Sequence, residues 1–436
     1  ISYAVKGDSS VVSVDGSSGV VTIHKAGTAT ITVTAAETPN VGAASVEYTV
    51  TVKKAKPTVN TGLEGDELTV AYTGKAITGY NKATAAANVV EGAAKPTGDI
   101  TYTFYTDQEC KNKVTNGDGE GNNIPIAVGT YYMKATYPGD TNYESAVSKP
   151  VTVTVTKAQL TVDAEGHTGT YDGETHSAIT IKSVTGNGTT LAQGQYTVKY
   201  AKTNTNIAPG ADAGDDVWQD DLTVKDVADS SSDKLYYWYM VTADNYNPAI
   251  GKFEVKITAA PLSVTGEPAS YEKEYDGDKE VDEALTDITV TAEDVPDVTI
   301  SVAATGTYAD KDAGTKKDVT LTLTLSGTDG TEIDWGNYSY NDQALTEGKI
   351  TLTKAGAGTI TPKAITVTGI SAVNRVYDGT TKVQLTGTPE TTEGSFIGKD
   401  DVSFSAISNQ TGTVTDAKAE DGKTVTVAAE TLKGLL

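Results

Sequence analysis

Val319-Thr320-Leu321-Thr322-Leu323-Thr324-Leu325 sets an apolar residue at every second position with threonine between. That period matches the pleat of a β-strand, whose successive side chains point to opposite faces. One set is therefore directed into a core and the threonines into water. Threonine suits the wet face because its β-branch fits the pleat while its hydroxyl stays solvated. The same alternation recurs in Ala29-Thr30-Ile31-Thr32-Val33-Thr34-Ala35, in Val151-Thr152-Val153-Thr154-Val155-Thr156 and in Thr424-Val425-Thr426-Val427. Clusters such as Asp15-Gly16-Ser17-Ser18-Gly19 separate the strands at hairpin distance. Half-buried antiparallel sheets are the expectation. Thr84-Ala85-Ala86-Ala87-Asn88-Val89-Val90 is the one stretch that reads as helical.

The chain has 436 residues and a formal charge of −24. At about 100–200 residues per domain, this length accommodates three or more separate cores. Apolar residues make up 38%, below the ~45–50% of an average globular chain, which speaks against long aliphatic helices. The acidity argues against nucleic acid as a partner, since phosphate binding needs clustered Lys and Arg; Arg375 is the only arginine. No apolar run approaches the ~18 residues that span a bilayer, so membrane insertion is not expected. Ile1-Ser2-Tyr3-Ala4-Val5-Lys6 shows neither a signal-peptide pattern nor a start methionine, and the chain reads as a portion of something longer. Cys110 is the only cysteine, so no intrachain disulfide forms, and it reads as a small residue in or beside a strand. A Thr-rich, Cys-poor, acidic β chain fits a bacterial surface protein better than a cystine-stapled animal module or a cytosolic enzyme.

A longer period overlies the strands. Four times an alternating strand runs into a short joint: Lys53-Lys54-Ala55-Lys56-Pro57, Thr156-Lys157-Ala158-Gln159-Leu160, Thr258-Ala259-Ala260-Pro261-Leu262 and Thr361-Pro362-Lys363-Ala364-Ile365. Successive joints lie about one hundred residues apart. After each comes a Tyr-x-Gly turn (Tyr72-Thr73-Gly74, Tyr171-Asp172-Gly173, Tyr275-Asp276-Gly277, Tyr377-Asp378-Gly379). Near the end of each complete unit stands Asn-Tyr: Asn142-Tyr143, Asn245-Tyr246 and Asn337-Tyr338. Five units follow: 1–55, incomplete at its start; 56–157; 158–259; 260–363; and 364–436, incomplete at its end. A unit of about 100 residues with short strands and frequent turns reads as an immunoglobulin-like sandwich. The expected fold is all-β, a tandem array of immunoglobulin-like β-sandwiches in an extended rod. The marks themselves read as structural. Asp-Gly supplies a tight turn, and a tyrosine buries its ring while its hydroxyl caps a loop carbonyl.

These residues also carry family resemblances. Val11-Val12-Ser13-Val14-Asp15-Gly16 through Val20-Val21-Thr22-Ile23, with Lys25-Ala26-Gly27-Thr28-Ala29-Thr30-Ile31, resembles the bacterial Ig-like group 2 domain of invasin- and intimin-type proteins. Residues 158–259, with Tyr171-Asp172-Gly173 and Ala243-Asp244-Asn245-Tyr246-Asn247-Pro248, resemble the MBG repeat of bacterial surface proteins, and 56–157 resembles a divergent relative with Thr73 in place of Asp. Residues 260–363 resemble the YDG repeat through Ala304-Thr305-Gly306-Thr307-Tyr308-Ala309-Asp310-Lys311-Asp312-Ala313-Gly314, and 364–436 begin another at Arg375-Val376-Tyr377-Asp378-Gly379. The resemblance implies tandem modules in a long secreted or wall-attached protein, without shared catalytic residues.

Candidates for chemistry are few. His24, His167 and His176 are the only histidines, and none has zinc-ligand spacing. Asn116-Gly117-Asp118-Gly119-Glu120-Gly121-Asn122 begins like a calcium loop, but Ala127 stands where the twelfth position needs a bidentate glutamate. A better candidate for Ca2+ is the acidic run holding Asp212, Asp215, Asp216, Asp220 and Asp221, whose mutual repulsion a hard cation would relieve; the rival reading is a solvated acidic loop. In Tyr236-Tyr237-Trp238-Tyr239-Met240-Val241, alternation assigns Tyr237, Tyr239 and Val241 to the core and turns Tyr236, Trp238 and Met240 outward. An outward aromatic strip is what a glycan platform uses, and Trp218 could join it; the rival reading is packing against a neighbouring unit or with one edge of the core. Lys–Asn or Lys–Asp isopeptide cross-links have no identifying spacing here.

The leading expectation is a non-enzymatic extracellular stalk or adhesin segment on the bacterial cell surface or cell wall. Four to five modules laid end to end would reach on the order of 150–180 Å. The rival readings are a glycan-binding module, accessory domains of a secreted enzyme, and a filament subunit assembled by strand exchange. A host or dietary glycan or a surface protein is the expected class of partner.

Overall fold

The computed structural model describes residues 1–7, 10–115, 123–232, 234–392, 395–397, 400 and 403–434. Nearly all of its regular structure is strand, as the alternation demands. The longest helix among the described residues is Ala429–Lys433, with short 3-10 turns elsewhere. Thr84–Ala86, expected as helix, is a strand paired with Thr58–Asn60. The chain divides into two compact units: residues 1–167, 176–224 and 231–255, and residues 168–175, 225–230 and 256–436. The third sequence repeat contributes to both.

In the first unit, Gly27–Ala35 is the centre of a three-stranded sheet with Ser2–Lys6 and Ala44–Val52 on either side. Its inward residues Ala29 and Ile31 join Val11 and Val12 in a small core, with Ile31 fully enclosed. The hairpin Val12–Val14/Val21–Ile23 turns where the glycines and aspartate predict. Asp15 Oδ1 accepts from the Ser17 and Ser18 N–H groups at 3.1 and 2.7 Å. Gly19 is left-handed at φ 71°, and a Cβ there would lie 2.8 Å from the Tyr3 ring, so both backbone and space require glycine. Farther on, Gly129–Tyr137 pairs with Thr101–Tyr105, Ala146–Val147 and Val151–Thr156 over a core of Phe104, Met133, Val151, Val153 and Val155.

The second unit contains two facing four-stranded sheets. One is Thr289–Ala292, Ala260–Thr265, Tyr338–Tyr340, Gln343–Ala344; the other is Tyr271–Glu274, Lys349–Thr361, Gly314–Gly327, Ile300–Tyr308. Their shared core holds Val319, Leu321, Leu323 and Leu325, the apolar half of the alternating stretch. Beyond it, Val367–Ala372, Lys382–Thr391 and Thr411–Thr413 form a three-stranded antiparallel sheet that buries Val383 and Leu385.

One pairing departs from the antiparallel expectation, and it recurs. In three repeats the strand leading into the Tyr-x-Gly turn lies parallel to the last strand of the same repeat. Glu67–Ala71 pairs with Val151–Thr156, Thr168–Thr170 with Lys256–Thr258, and Tyr271–Glu274 with Lys349–Thr361. Each time the tyrosine N–H donates at 2.8 Å to the threonine carbonyl at the end of that last strand, Thr156, Thr258 or Thr361. Because the two strands run the same way, each of these tyrosines stands at the end from which the chain leaves the repeat.

Candidate functional site

Sequence marks far apart in the chain meet in space at the joints: the joint residue and the Asn-Tyr turn at the first three, joined by a Tyr-x-Gly tyrosine at the second and third. At the first joint Ala55 donates to the Asn142 carbonyl at 2.9 Å and accepts from Glu144 N–H at 2.9 Å. Asn142 Oδ1 accepts from the Ala26 N–H at 2.9 Å, a contact spanning 116 residues. The second joint repeats this. Ala158 N–H donates to the Asn245 carbonyl, Asn247 N–H donates back to Ala158, and Asn245 Oδ1 accepts from Val128 N–H at 2.8 Å. At the third, Ala260 pairs with Tyr338, and Asn337 Oδ1 accepts from Val227 N–H at 2.8 Å. Asparagine fits because its amide carbonyl satisfies an N–H left over at the start of an element, a strand at the first two joints and the 3-10 turn Val227–Asp229 at the third.

The tyrosines complete the clasp. Tyr72 meets Tyr246 edge-to-face with centroids 5.4 Å apart, and Tyr171 meets Tyr338 the same way at 5.5 Å. Each pair joins the Tyr-x-Gly tyrosine of one repeat to the Asn-Tyr tyrosine of the next. A double-mutant cycle of Tyr72→Leu and Tyr246→Leu, read by denaturant unfolding, is expected to give a coupling of about 0.5–1.5 kcal/mol.

The turn carrying Asn142 is itself braced. Asp140 accepts from the N–H groups of Asn142 and Tyr143, the Tyr137 hydroxyl and the Thr97 N–H. Burial works against its ionisation, but these hydrogen bonds outweigh it and hold the carboxyl down at about 2. A depressed carboxyl stabilises the fold above its unfolded value near ~3.9, and that support fades as pH falls from about 4 to 2.

Of the two readings of the aromatic strip, the structure shows packing rather than an exposed platform. Tyr236 and Met240 do share the Trp238 face, but loop residues lie over it. Trp218 and Trp238 are 1% and 6% exposed and form one cluster with Ala201 and Met240, bordered by Ala213, Tyr236 and Ile250. Trp218 Nε1 donates to the Gly210 carbonyl at 2.8 Å, and Trp238 Nε1 donates to Thr203 Oγ1 at 2.9 Å. The Lys252 ammonium sits 5.3 Å from the Tyr236 ring centroid and 5.6 Å from that of Trp238. The sheet therefore has two apolar faces, both packed. Trp238→Phe is expected to cost about 1–2 kcal/mol in thermal unfolding, from one lost hydrogen bond and a small void.

The acidic run does not gather into a cation cage either. Lys199 Nζ bridges Asp215 and Asp220 at 3.1 and 3.0 Å, supplying the positive charge that a metal was expected to bring. Asp212, Asp216 and Asp221 are exposed. The loop 116–122 lies outside the described residues. His24 Nε2 is 2.8 Å from Ser13 Oγ across an exposed hairpin, while His167 and His176 stack with ring centroids 4.3 Å apart. Cys110 stands in a turn at φ 56°, its Sγ facing the Gln108 carbonyl.

Among the described residues, acids converge to metal-ligand spacing only at Asp276, Asp278 and Asp282. The centre of that trio is an ammonium. Lys273 Nζ lies 2.7 Å from Asp276, 2.7 Å from Asp278 and 3.6 Å from Asp282, and donates to the Glu280 carbonyl at 2.8 Å. Its side chain is 1% exposed. The sequence contains the signal: Lys273 alternates inward with Tyr271 while Glu272 and Glu274 face out. A buried lysine at a core position requires acids close by.

Residues 258–356 and 361–435 match the family model of the YDG domain. Among solved structures, the chain is similar to Drosophila N-cadherin EC1-4, at 11% identity over 83% of this chain and 92% of that one, with a TM-score of 0.19. It is also similar to Sidekick-1 immunoglobulin domains 1-5 (12% identity, 89% and 78% covered, TM-score 0.20). A third is surface layer protein SbsC, domains 4-9 (17% identity, 90% and 63% covered, TM-score 0.20). Comparison with curated proteins returns no match. Among the described residues, no helix is long and apolar enough to cross a membrane.

Proposed function

We propose that this chain is a non-enzymatic extracellular segment of a bacterial surface protein, a row of Ig-like β repeats that spaces or presents a binding region. One observation carries the reading: at three successive joints the asparagine of an Asn-Tyr turn accepts a backbone N–H from the preceding repeat. A catalytic chain spends its recurrent polar residues on a reacting centre, whereas these are spent on fixing one repeat against the next. The match of 258–356 and 361–435 to the YDG domain supports the assignment, as do the Ig-like group 2 and MBG resemblances of the preceding repeats. A net charge of −24 favours solubility and mutual repulsion of such segments. The burial of Trp218 and Trp238 weighs against a glycan platform at that strip.

Small-angle scattering tests the proposal. A compact globule of this length has a radius of gyration of about 22 Å, and a spacer is expected to give roughly twice that. A value near the smaller figure overturns the spacer reading.

A further inference from the structure

The 260–363 repeat buries two hydroxyls that no protein group satisfies. Among the described residues, Tyr271 Oη and Tyr308 Oη are the buried side-chain polar atoms without a hydrogen-bond partner. The two tyrosines are 0% and 2% exposed, in the core that also holds Val319, Leu321 and Leu323. Buried polar groups are nearly always paired, and a hydroxyl left alone in an apolar core is destabilising. Burial pushes both phenols up, and the charge of Glu283 adds to it, so each hydroxyl keeps its proton to donate.

The two side chains start on opposite edges of one sheet, in Tyr271–Glu274 and at the end of Ile300–Tyr308. Gly358 brings them together. It lies directly across from Tyr271 on the strand Lys349–Thr361, and register partners in neighbouring strands face the same side. A Cβ on Gly358 would fall 2.7 Å from Tyr308 Cε1. The Tyr308 ring therefore reaches over the intervening strand Gly314–Gly327 and takes the space of a side chain at 358, beside Tyr271.

In the following repeat the two positions change together. Val414 N–H donates to the Thr381 carbonyl as Tyr308 N–H does to that of Lys279, each acceptor four residues after its Tyr-Asp-Gly tyrosine. Val414, in Thr411-Gly412-Thr413-Val414, is thus the counterpart of Tyr308 in Thr305-Gly306-Thr307-Tyr308. Val373, four residues before Tyr377, is the counterpart of Tyr271. The two valines border one cavity. Both hydroxyls are present in one repeat and both are absent from the next, as suits groups that share a partner.

We infer that Tyr271 and Tyr308 hold a single buried water molecule between their hydroxyls. The site itself selects that guest. Its enclosure demands a small molecule, and the apolar core around it disfavours a charged one. A hydroxyl both donates and accepts, which calls for a guest that does the same. Water bridging otherwise unpaired buried groups meets all three conditions. It ties the two edges of the sheet together across Gly358, so that Tyr271–Glu274 is held by more than its own ladder.

Oxygen-17 relaxation dispersion on the full chain tests this, because it counts waters that stay inside longer than the protein tumbles. Tyr271→Phe and Tyr308→Phe keep the ring and remove one hydroxyl each. Each is expected to lower the count by about one and to raise the unfolding equilibrium constant about tenfold. The double variant leaves no hydroxyl unpaired. It is expected to lose the same one water and to unfold no more readily than either single variant. An unchanged count in both single variants overturns the inference, and so does a count that falls in only one. Stabilisation by both, adding in the double variant, means two hydroxyls without a guest and also overturns it. The rival partner is the exposed Glu283 carboxylate. If Glu283→Ala promotes unfolding as the tyrosine variants do while the water count stays level in all three, that side chain binds the hydroxyls and the inference fails.

Discussion

Lys273→Met is expected to destabilise the 260–363 repeat by about 3 kcal/mol, at the low end of the ~3–5 kcal/mol for removing one partner from a buried ion pair. The low end applies because the acids are half-exposed and regain hydration, with side-chain exposures of 35–59%. Methionine fills most of the volume, so the loss reports charge and hydrogen bonding rather than a cavity. Amide exchange in Tyr271–Glu274 and Lys349–Thr361 is expected to accelerate about a hundredfold. The pH dependence follows from opposite shifts. Burial pushes the Lys273 ammonium down, but hydrogen bonds to Asp276 and Asp278 and the surrounding negative charge outweigh it, and the net shift is upward. A raised lysine stabilises at every pH below its unfolded value near ~10.4 and loses that contribution only as pH rises through the folded one. The hydrogen bond to Lys273 lowers Asp278, whose contribution is present above ~3.9 and lost as pH falls through its folded value. The gap between natural chain and variant is thus flat from pH 5 to 9 and narrows below about pH 4. A gap unchanged at pH 2 contradicts this account of the trio.

Asn337→Asp strikes the third joint. The natural side chain is 2% exposed, accepts from Val227 N–H and donates Nδ2 to Asp226 Oδ1 at 2.8 Å. Aspartate keeps the acceptor but sets a second carboxylate against Asp226, with an expected cost of about 2–3 kcal/mol at pH 7. Acidification towards pH 4 lets one proton bridge the two carboxyls and recovers part of the loss. Asn337→Leu, which cannot be protonated, is expected to show no such recovery. Exchange of the Val227 amide reads both variants directly, and identical pH profiles would falsify the pairing with Asp226.

The strand content, the repeat period and the turn residues were legible because each follows from local rules: the pleat for Val319–Leu325, left-handed backbone for Gly19. The joints were legible only as marks. Asn142 and Ala26 are 116 residues apart, and nothing local says that they touch. The parallel closing strands escaped the reading because alternation is the same for parallel and antiparallel edges. Alternation assigns Trp238 to its face but leaves platform and packing open, since it separates two faces without saying what covers either. Asp215 and Asp220 look alike with or without Lys199 beside them. Their counter-charge comes from a strand rather than from their own loop. In every case the missing information is which distant segment lies against the residue.

The parallel pairing with the last strand bears on how such a repeat responds to being pulled. Tension applied at its two ends draws Glu67–Ala71 one way and Val151–Thr156 the other, along their common axis. The hydrogen bonds of that ladder are then loaded side by side and must fail together, unlike a hairpin opened from its tip one rung at a time. Resistance to force is set by the unfolding barrier rather than by equilibrium stability. Once the preceding Thr58–Asn60 pairing has given way, the parallel ladder therefore resists the pull in shear.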